Sequence, residues 1–177
     1  MDIYASDFAV IRTLQEVMMD ENAAAKNFSL IAALAPNAQE QSQLHAIRME
    51  DRRHYHFLQD IYEEITGDHY STGIASVSLP TNYCDMIKAV LYDKIKTAFA
   101  YEKLACNLAC FKQKDIICFI LNDEKHHARM LAAIYQKFAK KMAGQLPFNR
   151  GFAKYYRSQA DPSFADETFN PSNPINY

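Results

Sequence analysis

Two short stretches carry the residues best suited to chemistry. Asp51-Arg52-Arg53-His54 is followed eight residues later by Tyr62, and Glu124-Lys125-His126-His127 is followed eight residues later by Tyr135. Each places an acid and a histidine three apart, one helical turn, where the surrounding pattern would otherwise bury aliphatic side chains. Neutral imidazole and carboxylate together suit borderline cations such as Fe(II), Mn(II) or Zn(II), and carboxylates can bridge two ions. Metal sites inside helix bundles are built from such pairs on facing helices. The plainer alternative is a pair of core hydrogen bonds with no ion. The recurrence of the motif, with Glu21 as a third buried acid, favours a cation: unpaired carboxylates in a dry bundle repel one another and cost several kcal/mol each.

The elements that position these residues follow from periodicity. A first helix is expected from Ser6 or Asp7 to just before Pro36, with the stripe Ile11, Leu14, Met18, Glu21, Ala25, Phe28, Ala32. A second runs from about Ala38 to Thr66, closed by Gly67, with Leu44, Ile47, Asp51, His54, Leu58, Ile61 and Ile65 inward. A third, about Asn82 to Phe111, turns Ile87, Val90, Lys94, Thr97 or Ala98, Tyr101, Leu104 and Leu108 inward. A fourth, about Asp115 to Ala143 and closed by Gly144, has the stripe Ile117, Ile120, Glu124, His127, Leu131, Ile134, Phe138. In the third helix a base, Lys94, stands at the level where the others carry acids, with Asp93 about 100° around the axis.

The turn Ala35-Pro36-Asn37 joins the first hairpin, and residues near Lys112 to Lys114 join the second. Between them, Gly67 to Thr81 is rich in Ser, Thr and Gly. Its 15 residues reach about 50 Å when extended, so it either crosses the length of the bundle or forms a loop between antiparallel neighbours. Beyond Gly144 a short fifth helix is expected over Phe148 to Ser158. An extended tail follows over Asp161 to Tyr177, whose apolar residues are docked on a surface or disordered. The expected organisation is therefore all-α: a four-helix bundle over 1–144, with a short C-terminal helix and tail over 145–177.

Composition narrows the function classes. The chain has 177 residues, enough for about one domain, with only 4 glycines and 6 prolines to interrupt helices. A net charge of −2 with interspersed signs gives no basic stripe for nucleic acid. Met1 to Val10 has no leader pattern and no long apolar run follows, so a soluble, cytoplasmic protein with no membrane partner is expected. Cys84, Cys106, Cys110 and Cys118 do not form paired knuckles and read as small buried apolar residues. His45, His56, His69 and His126 fall off the stripes and read as surface residues; Tyr62 and Tyr135 read as packing aromatics.

At these residues the sequence resembles the ferritin-like di-iron carboxylate superfamily, closest to its rubrerythrin-like branch. The resemblance spans about Phe8 to Lys140, through Glu21-Asn22-Ala23-Ala24 to Phe28, Glu50 to Tyr62 with Thr66-Gly67, and Asn122-Asp123-Glu124-Lys125-His126-His127. It implies a ferritin-like four-helix bundle with Glu21, His54, Glu124 and His127 as ligands, and Fe, two ions, as cofactor, Mn or Zn being alternatives. The implied chemistry is ferroxidase, peroxide-reducing or oxidase, with O2 or peroxide as partner, an external reductant and a homodimeric assembly. Two positions depart from the pattern. Asp51 stands where the family has glutamate, and Lys94 stands where the third helix should supply one. A one-residue π-bulge would turn Asp93 inward as the missing ligand; otherwise one ion binds with the Lys94 ammonium partly replacing the second, or Lys94 replaces metal altogether in a structural or interaction protein.

Overall fold

The computed structural model describes residues 3–73 and 79–143, with side chains from 8 to 141. Four helices follow in order: α1 Ile3–Ala33, α2 Ala38–Thr66, α3 Tyr83–Asn107 and α4 Phe111–Ala143. Met1–Ala139 forms one compact unit, the bundle; Lys140–Tyr177 forms a second, nearly all of it outside the described residues, as are the expected fifth helix and tail.

Local chemistry sets several of the ends. Asn37 caps α2, its side-chain oxygen accepting from Glu40 N–H at 2.9 Å, and Asn82 caps α3 by accepting from Asp85 N–H at 2.9 Å. Gly67 closes α2 at φ 74°, a left-handed conformation that glycine adopts without a Cβ penalty, and its N–H returns to Glu63 O. The α3–α4 corner differs from expectation. α3 stops at Asn107, because Leu108 turns extended (φ −74°, ψ 132°) while its side chain stays in the core. Cys110 O then accepts from Lys114 N–H, so α4 begins a turn earlier than Asp115. Likewise α1 is already helical at Ile3.

Two apolar clusters fill the bundle. One joins Leu14, Met18, Leu58, Ile61, Leu104 and Ile117, with their neighbours; the other joins Phe28, Ile31, Leu44, Ile47, Ile87 and Leu131, with theirs. The early part of α1 thus meets the late parts of α2 and α3 and the early part of α4. It follows that α2 and α3 run in the same direction, with α1 and α4 opposed to them. Parallel α2 and α3 require their connection to travel the length of the bundle, which decides between the two readings of Gly67–Thr81. Its path is pinned along the way. Tyr70 packs on Tyr62, Thr72 N–H donates to Tyr55 Oη at 3.1 Å, Asn22 Nδ2 donates to Thr72 Oγ1 at 2.6 Å, and Leu79 reaches the second apolar cluster. One long crossover of this kind is the ferritin-like variant of the four-helix bundle. No helix among the described residues is long and apolar enough to cross a membrane.

Candidate metal centre

Between the two apolar clusters lies one layer of buried charge. Glu21, Asp51, His54, Glu124 and His127 are each 0–1% exposed and Lys94 is 3% exposed. All six were legible as stripe positions, one turn apart from aliphatics above and below. Lys94 stands in the middle: its ammonium donates to Asp51 Oδ1 at 2.7 Å and Glu124 Oε1 at 2.8 Å, and lies 3.5 Å from Glu21 Oε2. The Phe28 ring closes one side of it, 5.8 Å from Nζ.

The histidines are held from outside the layer. His54 Nε2 meets Asp123 Oδ2 at 3.1 Å, and His127 Nε2 meets Glu50 Oε2 at 2.6 Å. The pairing is crossed between helices, each histidine of one motif meeting the acid that precedes the other motif. With Nε2–H donating outward, Nδ1 of each ring faces the layer, the carboxylate–histidine arrangement that orients imidazole ligands on metals. The two inner nitrogens then differ. His127 Nδ1 is 3.3 Å from Glu124 Oε1, within hydrogen-bond reach. His54 Nδ1 lies 3.6 Å from Glu21 Oε1 and 3.9 Å from Glu124 Oε1 and has no hydrogen-bond partner.

Electrostatics follow from burial and these distances. Burial would strip Lys94 of its proton, but Asp51, Glu21 and Glu124 outweigh it and hold the amine charged, well above its ordinary value. Burial raises the Asp51 carboxyl to about 7, with Lys94 opposing and Glu21 and Glu124 adding to the rise. For Glu21, burial is outweighed by Lys94, His54 and Tyr101, and its carboxyl falls to about 2. Tyr101, fully buried, donates its hydroxyl to Glu21 Oε1 at 2.6 Å, and burial with Glu21 beside it keeps the phenol protonated. Both histidines are raised, the nearby carboxylates outweighing burial.

Asp93 is not brought into this layer. α3 is regular α-helix across Asp93 and Tyr101, with no bulge to absorb a residue, so the inward position belongs to Lys94 and Asp93 lies exposed, about 100° away. His45, His56, His69 and His126 are exposed, and so, against expectation, are Cys106, Cys110 and Cys118, with Cys84 half-buried. Tyr62 belongs to the first apolar cluster, where its hydroxyl accepts from Gln15 Nε2 at 3.2 Å, and Tyr135 packs on the second. Sequence reasoning missed Glu50 and Asp123 as partners of the histidines. The signal was a doublet: each motif opens with two acids, Glu50-Asp51 and Asp123-Glu124, of which one turns inward.

A divalent ion fits one set of these residues. Glu21, Asp51, His54 and Glu124 each offer a ligand atom, all within 4.8 Å of one another. Each also has a buried atom without a hydrogen-bond partner: Glu21 Oε2, Asp51 Oδ2, His54 Nδ1 and Glu124 Oε2. Buried polar atoms are rarely left unpaired, and of the six such side-chain atoms among the described residues four belong to this one cluster, the others being Asn27 Oδ1 and Gln43 Oε1.

No protein-family model matches the chain, and no curated protein matches its sequence. Among solved structures, the chain is similar to a two-domain protein from Anabaena variabilis ATCC 29413 that contains DJ-1/ThiJ/PfpI-like and ferritin-like domains. The TM-score is 0.58 at 11% identity, over 93% of this chain and 41% of that one, so this chain spans about two fifths of that protein's length. The likeness is one of fold. This chain has a ferritin-like helical fold, with a buried carboxylate–histidine cluster compatible with metal binding.

Proposed function

We propose that the bundle is a one-ion metal protein, in which Glu21, Asp51, His54 and Glu124 hold a single divalent transition ion and the Lys94 ammonium stands permanently where a second ion would sit. The observation that carries this reading is the orphaned His54 Nδ1, oriented by Asp123 and facing Glu21 and Glu124. The charge supports the same number. In the state an ion binds, with the carboxylates ionised and the histidines neutral, three buried carboxylates against one ammonium leave two negative charges, the complement of one M²⁺. A glutamate at position 94 would leave four negative charges and room for two.

Mixed carboxylate and imidazole donors suit Fe(II), Mn(II) or Zn(II). Fe(II) or Mn(II) there would supply one-electron chemistry toward O2 or peroxide, drawing on an external reductant. Around it, this chain's own residues have definite tasks. Asp123 fixes the His54 ring, Tyr101 holds Glu21 by its Oε1 so that Oε2 stays available, and Lys94 neutralises Asp51 and Glu124 on the far side. The two apolar clusters keep bulk water from the layer on either side.

A second reading rests on the 2.7 and 2.8 Å contacts of Lys94: the ammonium alone balances the layer, and the bundle serves as a structural or interaction protein. Mass-spectrometric metal analysis after anaerobic loading with Fe(II), Mn(II) or Zn(II) and desalting separates the two. One ion per chain is expected, and two for Lys94→Glu. No retained ion leaves the salt-bridged core; two ions in the unaltered chain remove Lys94 from the role given to it.

A further inference from the structure

Two cavities flank Glu21, one on each side of α1, and their chemistry is opposite. The cavity between α1 and α3, about 110 Å³, has Glu21 and Lys94 at its floor and Asp20, Asp93 and Lys96 around its mouth. At about 30 Å³ per water it has room for three or four water-sized groups. Asp20 is half-buried and senses Asp93, Glu21 and Lys96 electrostatically, so the charges of the mouth and floor act on one another. The cavity between α1 and α2, about 200 Å³, reaches Glu21 past Asn22, Arg52, Tyr55 and His56. Its charged mouth residue is Arg52, and the crossover is tied to two of its walls, Thr72 to Tyr55 and Asn22, and Gly73 to Asn22.

We propose that the α1–α3 cavity is the path by which a hydrated divalent cation enters, with Asp20 and Asp93 as its mouth and Glu21 as the first ligand it meets. The path rests on the one-ion reading above. Four features carry it together. Two acids against one lysine leave the mouth net negative, and with Glu21 against Lys94 at the floor the lining keeps one net negative charge, which a low-dielectric cleft focuses on an incoming cation. Glu21, 1% exposed, lines the cavity and has an Oε2 without a hydrogen-bond partner. Small side chains, Ala23 and Ala24, form part of the wall. The rival opening presents Arg52 to an incoming cation. Asp93 thereby has a task at the mouth that does not require it to reach the metal layer.

The test is stopped-flow mixing of the full chain with Co²⁺ at low ionic strength, followed by the quench of tyrosine emission (the chain has no tryptophan), with final stoichiometry measured separately. Asp20→Asn with Asp93→Asn is expected to slow association about tenfold, the lower end of electrostatic focusing, with stoichiometry unchanged. The difference should shrink in about 0.5 M salt, where the Debye length falls to about 4 Å. Lys96→Gln should speed association, and Arg52→Gln should leave it unchanged. Wild-type rates in the double variant overturn the path while leaving the metal reading standing, as does acceleration by Arg52→Gln. A wild-type chain that takes up no Co²⁺ overturns both.

Discussion

The two halves of the charged layer are built alike and finished differently. In the half made by α1 and α2, Glu21 and His54 face inward, and His54 Nδ1 has nothing to bond. In the half made by α3 and α4, the equivalent places hold Lys94 and His127. There both inward nitrogens are bonded: the ammonium donates to Asp51 and Glu124, and His127 Nδ1 lies within hydrogen-bond reach of Glu124. The outer supports are the same, an acid from the facing motif on each Nε2. One substitution type, base for acid at position 94, therefore converts a symmetrical frame into one open half and one sealed half.

The sharpest way to break this comparison is to remove each imidazole in turn. His54→Ala should abolish retention of a divalent ion, whereas His127→Ala should leave it within a few-fold, both read by calorimetric titration with Mn(II) or Zn(II). Equal losses would show the halves to be equivalent. Next in size is Lys94→Met, which leaves three carboxylates without their buried cation and should cost the metal-free protein about 3–5 kcal/mol in denaturant unfolding. Added divalent ion should restore part of that loss.

A smaller effect concerns pH. His54, His127 and Asp51 all have folded values raised above their unfolded ones, so their stabilising protons are bound at low pH and released as pH climbs. The loss for Asp51 accumulates up to about 7 and those of the histidines from about 6.5 upward. Glu21 has the opposite sign, but its contribution is lost only as pH falls below its ordinary value of 4.5 toward about 2. The metal-free Tm should accordingly fall between pH 6 and 8, by an amount equivalent to about 1.4 kcal/mol per pH unit for each proton involved. A divalent ion competes with those protons, so the Tm gain on adding it should grow over the same range. A gain that is flat with pH would mean that the ion binds elsewhere. The smallest change is Tyr101→Phe, which deletes a hydrogen bond to a charged, buried carboxylate. About 1.5–3 kcal/mol of stability should go with it, and metal affinity should drop only modestly because Glu21 keeps both oxygens.

Much of this was legible in the residues themselves. The stripes of α2 and α4 place Asp51, His54, Glu124 and His127 inward because three- and four-residue gaps leave no alternative face, and the same count places Lys94. What was not legible depended on how helices meet. That Glu50 bonds His127 while Asp123 bonds His54 is a contact between α2 and α4, which no single-helix pattern encodes. Asp93 could be drawn inward on paper by a bulge, and only the satisfied contacts of Lys94 make that rotation unprofitable. The α3–α4 break at Leu108 carries neither glycine nor proline to announce it. The direction of the crossover was undecidable because Gly67–Thr81 has no period, and it was settled by which ends of α2 and α3 share a core.

Lys94 also bears on how such a chain matures. A counter-ion that arrives with the polypeptide needs no delivery, cannot be stripped by a chelator and cannot be exchanged for a competing metal. On the one-ion reading, half of the layer is balanced as soon as the chain has folded, before any ion arrives. On the one-ion reading, only the His54 half is left open to the affinity order that lets copper or zinc displace iron and manganese. On that reading, a permanent ammonium at position 94 leaves one place rather than two at which the wrong metal could be acquired.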